Sequence, residues 1–202
     1  MLKLYHSAQS RSTRPRWLLE ELGEPYELVR IDLGKQEHKT SQYLQIHPHG
    51  TVPALVDGDL ALMESGAICA YLADRFPAKR LAPPAGTRER GPYYQWMFYA
   101  AVTLEPPVLQ VFMHTVRLPE AERSAALAEQ GRTAFAQIAE VITKSLGRKP
   151  FLLGDQFSAA DVMIGSTLAW AGFFGLMKDQ PALSEYVQRL SARPAFQRAW
   201  AD

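Results

Sequence analysis

The strand-like segments of this 202-residue chain are confined to its first third, and that segregation narrows the possible folds more than any other feature. Leu2-Lys3-Leu4-Tyr5 reads as a short strand, and residues 26–33 read as a second. Between them, residues 12–22 carry helical character, with Pro15 in the first turn, apolar Trp17, Leu18, Leu19 and Leu22, and Gly23 as a stop. Strands separated by a helix with short connectors imply parallel pairing through a crossover. Residues 38–46 are weakly helical. Pro53 then opens Ala54-Leu55-Val56, and Asp57-Gly58-Asp59 separates this run from Leu60-Ala61-Leu62-Met63. Two apolar runs around Asp-Gly signal a hairpin. Glu64-Ser65 begins a helix that reaches Arg75 and stops before Pro77. The order β-α-β-α-β-β-α predicts a four-stranded mixed sheet with three helices over residues 1–77.

Pro77, Pro83, Pro84 and Gly86 mark a linker over residues 78–86. Beyond it the strand signal disappears. Helical stretches are expected at 88–116, broken or kinked at Pro106-Pro107, and at 120–146, 158–176, 182–191 and 195–200. Residues 87–202 therefore read as an all-helical domain without strand pairing. In Ser158-Ala159-Ala160-Asp161 we read a capping box, with Phe157 and Val162 placed as a hydrophobic staple. Asp161 is accordingly assigned to holding a helix start rather than to catalysis.

Charge and cysteine content exclude several functions. With 22 basic and 21 acidic residues, the net charge of +1 provides no footprint for nucleic acid or an anionic membrane. The single Cys69 rules out a disulfide framework, a Cys-x-x-Cys pair or a cysteine-rich metal site within one chain, and suits a reducing compartment. The sequence opens directly on strand-like alternation, without the apolar core of a signal peptide. Its longest uncharged stretch, residues 162–177, is shorter than the ~20 residues of a membrane span and reads as a buried helix. His38 and His49 lack metal-ligand spacing, so no metal is expected.

Six short motifs occur in a telling order. They are Leu4-Tyr5-x-Ser7-x-x-Ser10 followed by Arg16-Trp17-Leu18-Leu19-Glu20-Glu21-Leu22-Gly23, then Val52-Pro53, then Glu64-Ser65-Gly66-Ala67-Ile68, then Phe157-Ser158-Ala159-Ala160-Asp161, and finally Arg193-Pro194-Ala195-Phe196. Together they make nearly the whole chain resemble the cytosolic glutathione transferase family, in its serine-type theta-, phi- or beta-like bacterial members. The resemblance implies an α/β thioredoxin-like N-terminal domain followed by an all-α C-terminal domain that helps hold the second substrate. It also implies a cytoplasmic homodimer, with glutathione as cosubstrate and a small hydrophobic electrophile as its acceptor.

Residue roles follow from the same resemblance. Val52, before a cis Pro53, offers its backbone N–H and C=O to the cysteinyl part of glutathione. Glu64 takes the γ-glutamyl ammonium, and Ser65 with the free N–H groups of its helix takes the carboxylate. His38, and as a second candidate His49, lies near the glycyl end. The reactive thiol belongs to the cosubstrate, so the protein must supply a hydroxyl donor at a helix N-terminus. Ser10 and Ser12 compete for this role. Ser10 has the better spacing after the first strand, and either could instead cap the helix. Arg11 and Arg14 could add positive potential nearby, and Tyr5 is a weaker donor candidate. Two alternatives stay open: another glutathione-dependent reaction, such as disulfide reduction, dehalogenation or isomerisation, and a non-catalytic binding module on the same fold.

Overall fold

The structure, a computed structural model, describes residues 1–201. The chain forms two compact units, one comprising Met1–Ala82 with the segment from Ser191 onward, the other Pro83–Leu190.

In the first unit, β1 (Leu2–His6) alternates buried Leu2, Leu4 and His6 with half-buried Lys3 and Tyr5, the period-two pattern of a strand with one face in the core. It is followed by α1 (Thr13–Leu22), β2 (Tyr26–Arg30), α2 (Ser41–Leu44), β3 (Ala54–Asp57), β4 (Leu60–Met63) and α3 (Ser65–Arg75). The sheet order is β2-β1-β3-β4. β1 pairs parallel with β2, and β1–β3 and β3–β4 are antiparallel, as the crossover and the Asp-Gly hairpin require. Trp17, Leu18, Leu19 and Leu22 of α1 and Ile68, Cys69 and Leu72 of α3 are buried with Leu4 and Leu55 of the sheet.

Two local differences from the sequence reading have clear causes. β2 stops at Arg30 rather than residue 33, because the Asp32 carboxylate accepts the Lys35 N–H at 3.1 Å and folds the chain into a turn. The weak helix at 38–46 resolves into a 3₁₀ turn at Glu37–Lys39 and the four-residue α2, whose N-cap Thr40 accepts the Tyr43 N–H at 3.3 Å.

α9 (Pro194–Ala199) also belongs to this first unit and packs on α1. Phe196 meets Trp17 edge-to-face at 4.9 Å. Arg193 holds Glu21 through two bonds of 2.6 and 2.8 Å, and Arg198 donates to Glu20.

The second unit contains α4 (Arg90–Tyr99), α5 (Glu105–Phe112), α6 (Ala125–Leu146), α7 (Ala159–Gly172) and α8 (Pro181–Ser191), whose last residue lies at the unit boundary. The expected break at Pro106-Pro107 is a widened turn. Over Ala100–Leu104 the backbone opens to π geometry, and the Glu105 N–H donates to the Ala100 carbonyl. Two successive prolines supply no N–H to the preceding turn, and a local π turn rearranges the carbonyls they leave. The stretch expected to be helical from residue 120 is a 3₁₀ turn at Glu120–Glu122. α6 starts only at Ala125, where Ser124 caps Leu127. α5 and α6 approach closely at Gly131, where a Cβ would lie 2.9 Å from the Pro107 carbonyl oxygen. α7 is buried along most of its length. Among the described residues beyond Ala82, the only strand-like pairing is a single bridge, Phe151 to Gly154, inside a tight turn.

The capping box forms as expected. Asp161 is fully buried. Its carboxylate accepts the Ser158 N–H at 2.9 Å, the Ser158 hydroxyl at 3.0 Å, the Leu152 N–H at 2.9 Å and the Tyr186 hydroxyl at 2.7 Å.

Candidate active site in the N-terminal unit

Strand register gathers the sequence candidates at one end of the sheet. Tyr5 lies opposite Ala54, and Ala54 opposite Met63. The chain leaving β1, the chain entering β3 and the chain leaving β4 therefore emerge side by side. These are the segments that carry Ser7 to Ser12, Val52-Pro53 and Glu64-Ser65.

The Val52–Pro53 peptide is cis. Pro53 is buried and Val52 half-buried. The approach to this bond is braced: the Tyr43 hydroxyl donates to the Thr51 carbonyl at 2.7 Å, and His47 Nε2 lies 3.0 Å from the Thr51 hydroxyl. Gly50, at φ +56°, has no room for a side chain, because a Cβ would fall 2.6 Å from the His38 carbonyl oxygen. The two histidines singled out from sequence sit on either side of this contact. His38 is half-buried, and its Nδ1 is enclosed without a hydrogen-bond partner. His49 is exposed, and its carbonyl accepts Lys39 Nζ at 3.0 Å. His47, which the sequence did not mark out, is the buried one. Burial and then the adjacent His49 push its pKa below the usual histidine value.

Glu64 stands at φ +71°, ψ +113°, a backbone region that non-glycine residues rarely occupy and that concentrates at functional sites. Its side chain is exposed. The Glu64 side chain does not cap the helix it precedes, so it leaves the first N–H groups of α3 to other partners. Ser65 is buried, and its hydroxyl accepts Arg14 Nη1 at 3.3 Å. Arg14 is itself buried in the first turn of α1, so it ties the starts of α1 and α3 together rather than facing solvent. One turn into α3, Cys69 is fully buried, and burial pushes its thiol up to about 12.

The two competing serines are placed differently. Ser10 is half-buried, and its Oγ lies 2.7 Å from the Ser7 carbonyl and accepts the Ser12 N–H at 3.2 Å. Ser12 is wholly buried. Its Oγ accepts the Ser7 N–H at 3.1 Å and lies 2.7 Å from both the Ser10 Oγ and His6 Nδ1. Neither serine caps α1 in the ordinary way, since Ser12 holds the N-cap position with helical backbone angles and makes no side-chain cap. The other ring nitrogen of His6 receives Arg16 at 3.2 Å. Sequence reasoning missed His6, although it shares the buried face of β1 with Leu2 and Leu4. Tyr5 points to the opposite face and packs edge-to-face on Tyr43 at 5.4 Å. An open cavity of about 490 Å³ flanks the loop after β1, lined by Ser7, Ala8 and the turn from Arg30 to Gly34.

A small mixed sheet with a cis-proline strand start, in a chain that continues into a helical unit, defines a thioredoxin-like protein with an all-α second domain. Comparison with known proteins makes this specific. Residues 1–74 match the glutathione S-transferase N-terminal domain family, and residues 104–194 match the C-terminal domain family. The chain is 31% identical to glutathione S-transferase F9 of Arabidopsis thaliana over 211 residues, covering 100% of this chain and 97% of that protein. It is 30% identical to the disulfide-bond oxidoreductase YfcG of Escherichia coli strain K12, covering 96% and 92%. Its fold is similar to the glutathione transferase URE2P6 of Phanerochaete chrysosporium, solved in complex with oxidised glutathione, with a TM-score of 0.89 and 28% identity over 99% of this chain and 94% of that one. The chain belongs to the glutathione S-transferase family.

Proposed function

We propose that this glutathione transferase binds glutathione at the sheet end described above, ionises its thiol with Ser10, and conjugates the thiolate to small hydrophobic electrophiles. This is the chemistry of detoxification. The carrying observation is the contrast between the serines. Ser10 is half-buried in the loop that leads into α1, whereas the Ser12 hydroxyl is sealed among His6, Ser7 and Ser10. In this arrangement the Val52 backbone pairs with the cysteinyl part of glutathione. Glu64 receives the ammonium, Ser65 and the start of α3 receive the γ-glutamyl carboxylate, and His38 and His49 face the glycyl end. That URE2P6 is solved with oxidised glutathione supports the choice of cosubstrate.

A cysteinyl thiol has an ordinary pKa near ~8.5, and each unit of lowering takes about 1.4 kcal/mol of preferential thiolate stabilisation. One charge-assisted hydrogen bond with the helix end supplies about 1.5–3 kcal/mol, one to two units. Ser10→Ala therefore raises the pKa of bound glutathione, read by ultraviolet thiolate absorbance, and lowers conjugation near neutral pH by roughly one to two orders of magnitude. An unmoved titration counts against Ser10.

The similarity to a disulfide-bond oxidoreductase favours a second reading, in which bound glutathione reduces disulfides. With Cys69 buried, the sulfur in such a reaction is glutathione's own. Retention on immobilised glutathione, followed by parallel conjugation and disulfide-reduction assays, separates the two readings and also tests a non-catalytic module.

We further propose a symmetric homodimer in the cytoplasm. Tyr94, Phe98 and Val102 recur at helical spacing along α4 and the following wide turn and remain exposed, which suits a subunit interface. Sedimentation that shows a concentration-independent monomer refutes it. No helix among the described residues is long and apolar enough to cross a membrane.

A further inference from the structure

We propose that His6 is a positioning residue that orients the Ser10 hydroxyl toward the ligand through a one-way chain of hydrogen bonds; this rests on the assignment of Ser10 above. The chain begins at Arg16, whose Nη1 lies 3.2 Å from His6 Nε2. A guanidinium only donates, so Nε2 carries its lone pair and the imidazole is neutral with its hydrogen on Nδ1. That hydrogen is donated to the Ser12 Oγ, 2.7 Å away. The same oxygen also accepts the Ser7 N–H at 3.1 Å. A hydroxyl oxygen has two acceptor positions, and both are now filled. Ser10, with its Oγ 2.7 Å from that of Ser12, therefore cannot donate inward.

The Ser12 hydroxyl is left as a donor, with the Ser10 Oγ at 2.7 Å and the Ser7 carbonyl at 3.0 Å as its acceptors. The Ser10 Oγ also accepts the Ser12 N–H at 3.2 Å. With both acceptor positions of Ser10 filled in turn, its own hydrogen is the one free end of the chain. Without ligand it points to the Ser7 carbonyl at 2.7 Å. With glutathione bound it turns to the sulfur, and the donors behind it make it a stronger one. Without the His6 donor, the Ser12 Oγ regains a vacant acceptor position next to Ser10, and the Ser10 hydrogen is drawn inward, away from the sulfur. No proton leaves its atom in this scheme; only the sense of donation is set.

A matched pair of substitutions tests this. His6→Asn keeps an N–H close to the position of Nδ1, whereas His6→Gln places its amide near Nε2 and leaves the Ser12 Oγ without that donor. In His6→Gln the thiolate titration of bound glutathione shifts upward by about half a unit to one unit, and turnover near neutral pH falls by about three- to tenfold. The dissociation constant for glutathione stays within about twofold, because the thiol form gains little from the bond. His6→Asn restores most of the wild-type titration. Equal shifts in both variants mean a merely structural role and overturn the proposal. If Ser10→Ala moves the titration and His6→Gln does not, the chain fails while Ser10 stands; if Ser10→Ala does not move it, the underlying assignment fails. The wild-type enzyme provides a check that needs no substitution. Nitrogen-15 chemical shifts of His6 should report a neutral ring protonated at Nδ1, and a ring protonated at Nε2 overturns the proposal outright.

Discussion

Replacing Asp161 with alanine should destabilise the protein severely without touching its chemistry. The carboxylate is fully buried and accepts four bonds, from the backbone of Leu152 and Ser158 and from the hydroxyls of Ser158 and Tyr186. Alanine removes the carboxylate that accepts two backbone N–H groups and one buried phenol, while the Ser158 hydroxyl can rotate elsewhere. Each buried donor left without a partner costs about 1–3 kcal/mol. Part of that is offset because a charged group no longer has to be taken out of water, which leaves a net loss of about 3–5 kcal/mol. For a chain of this size that lowers Tm by about 6–20 °C. Asp161→Asn keeps one acceptor for Leu152 and Tyr186 but turns an NH₂ toward the Ser158 N–H, so it should lose about half as much. Urea unfolding followed by tryptophan fluorescence measures both, and conjugation by folded protein at low temperature should stay near wild type. A loss below about 1 kcal/mol for Asp161→Ala refutes this account. So does a variant of unchanged stability that has lost turnover, which would make Asp161 a catalytic acid.

Glu64→Ala should weaken glutathione binding by ~1–3 kcal/mol, as expected for a lost charged hydrogen bond, and calorimetry that finds an unchanged dissociation constant dismisses the ammonium contact. Glu64→Gly should lose the same affinity yet gain about 0.5–1 kcal/mol of stability by relieving the positive φ. For Glu20, burial raises the carboxyl pKa, but the bonds from Tyr26 and Arg198 outweigh it and the net shift is downward. A lowered folded-state pKa stabilises above the ordinary glutamate value and is lost as pH falls through the folded one. The stability gap between wild type and Glu20→Gln, measured by denaturant titration, should therefore be open at neutral pH and close in acid; a gap that widens in acid contradicts the assignment. Cys69, with its thiol pushed up to about 12 by burial, should resist a disulfide reagent in the folded protein and react only as the chain unfolds. Prompt labelling under native conditions would show that α3 opens far more readily than its packing implies.

Features written in neighbouring residues were legible in the sequence. The Asp57-Gly58 hairpin, the helix after Glu64-Ser65 and the Ser158–Asp161 box each depend on residues a few positions apart, and each formed where expected. The double proline announced a disruption, but whether the helix would kink or widen depended on how the carbonyls before it were answered. The site was less legible because its decisive bonds join distant segments. Arg14 reads as one more charge in an exposed first turn until Ser65 is brought beside it by the sheet. Ser12 reads as a cap until His6 and Ser7 enclose it. His6 did leave a trace, an inward position in the β1 alternation shared with Leu2 and Leu4, but a polar residue at a strand end is easily taken for a solvated one.

The docking of α9 against α1 bears on how the molecule is made. The face of α1 that carries Trp17, Glu20 and Glu21 is covered by Phe196, Arg198 and Arg193, residues that leave the ribosome only after the whole of the second unit. The sheet and its first helices can form early, but that flank of α1 stays bare until synthesis has passed through α4 to α8. The first unit to emerge is thus also the last to be completed, and the nascent chain must carry Trp17 without its Phe196 contact through most of its own translation.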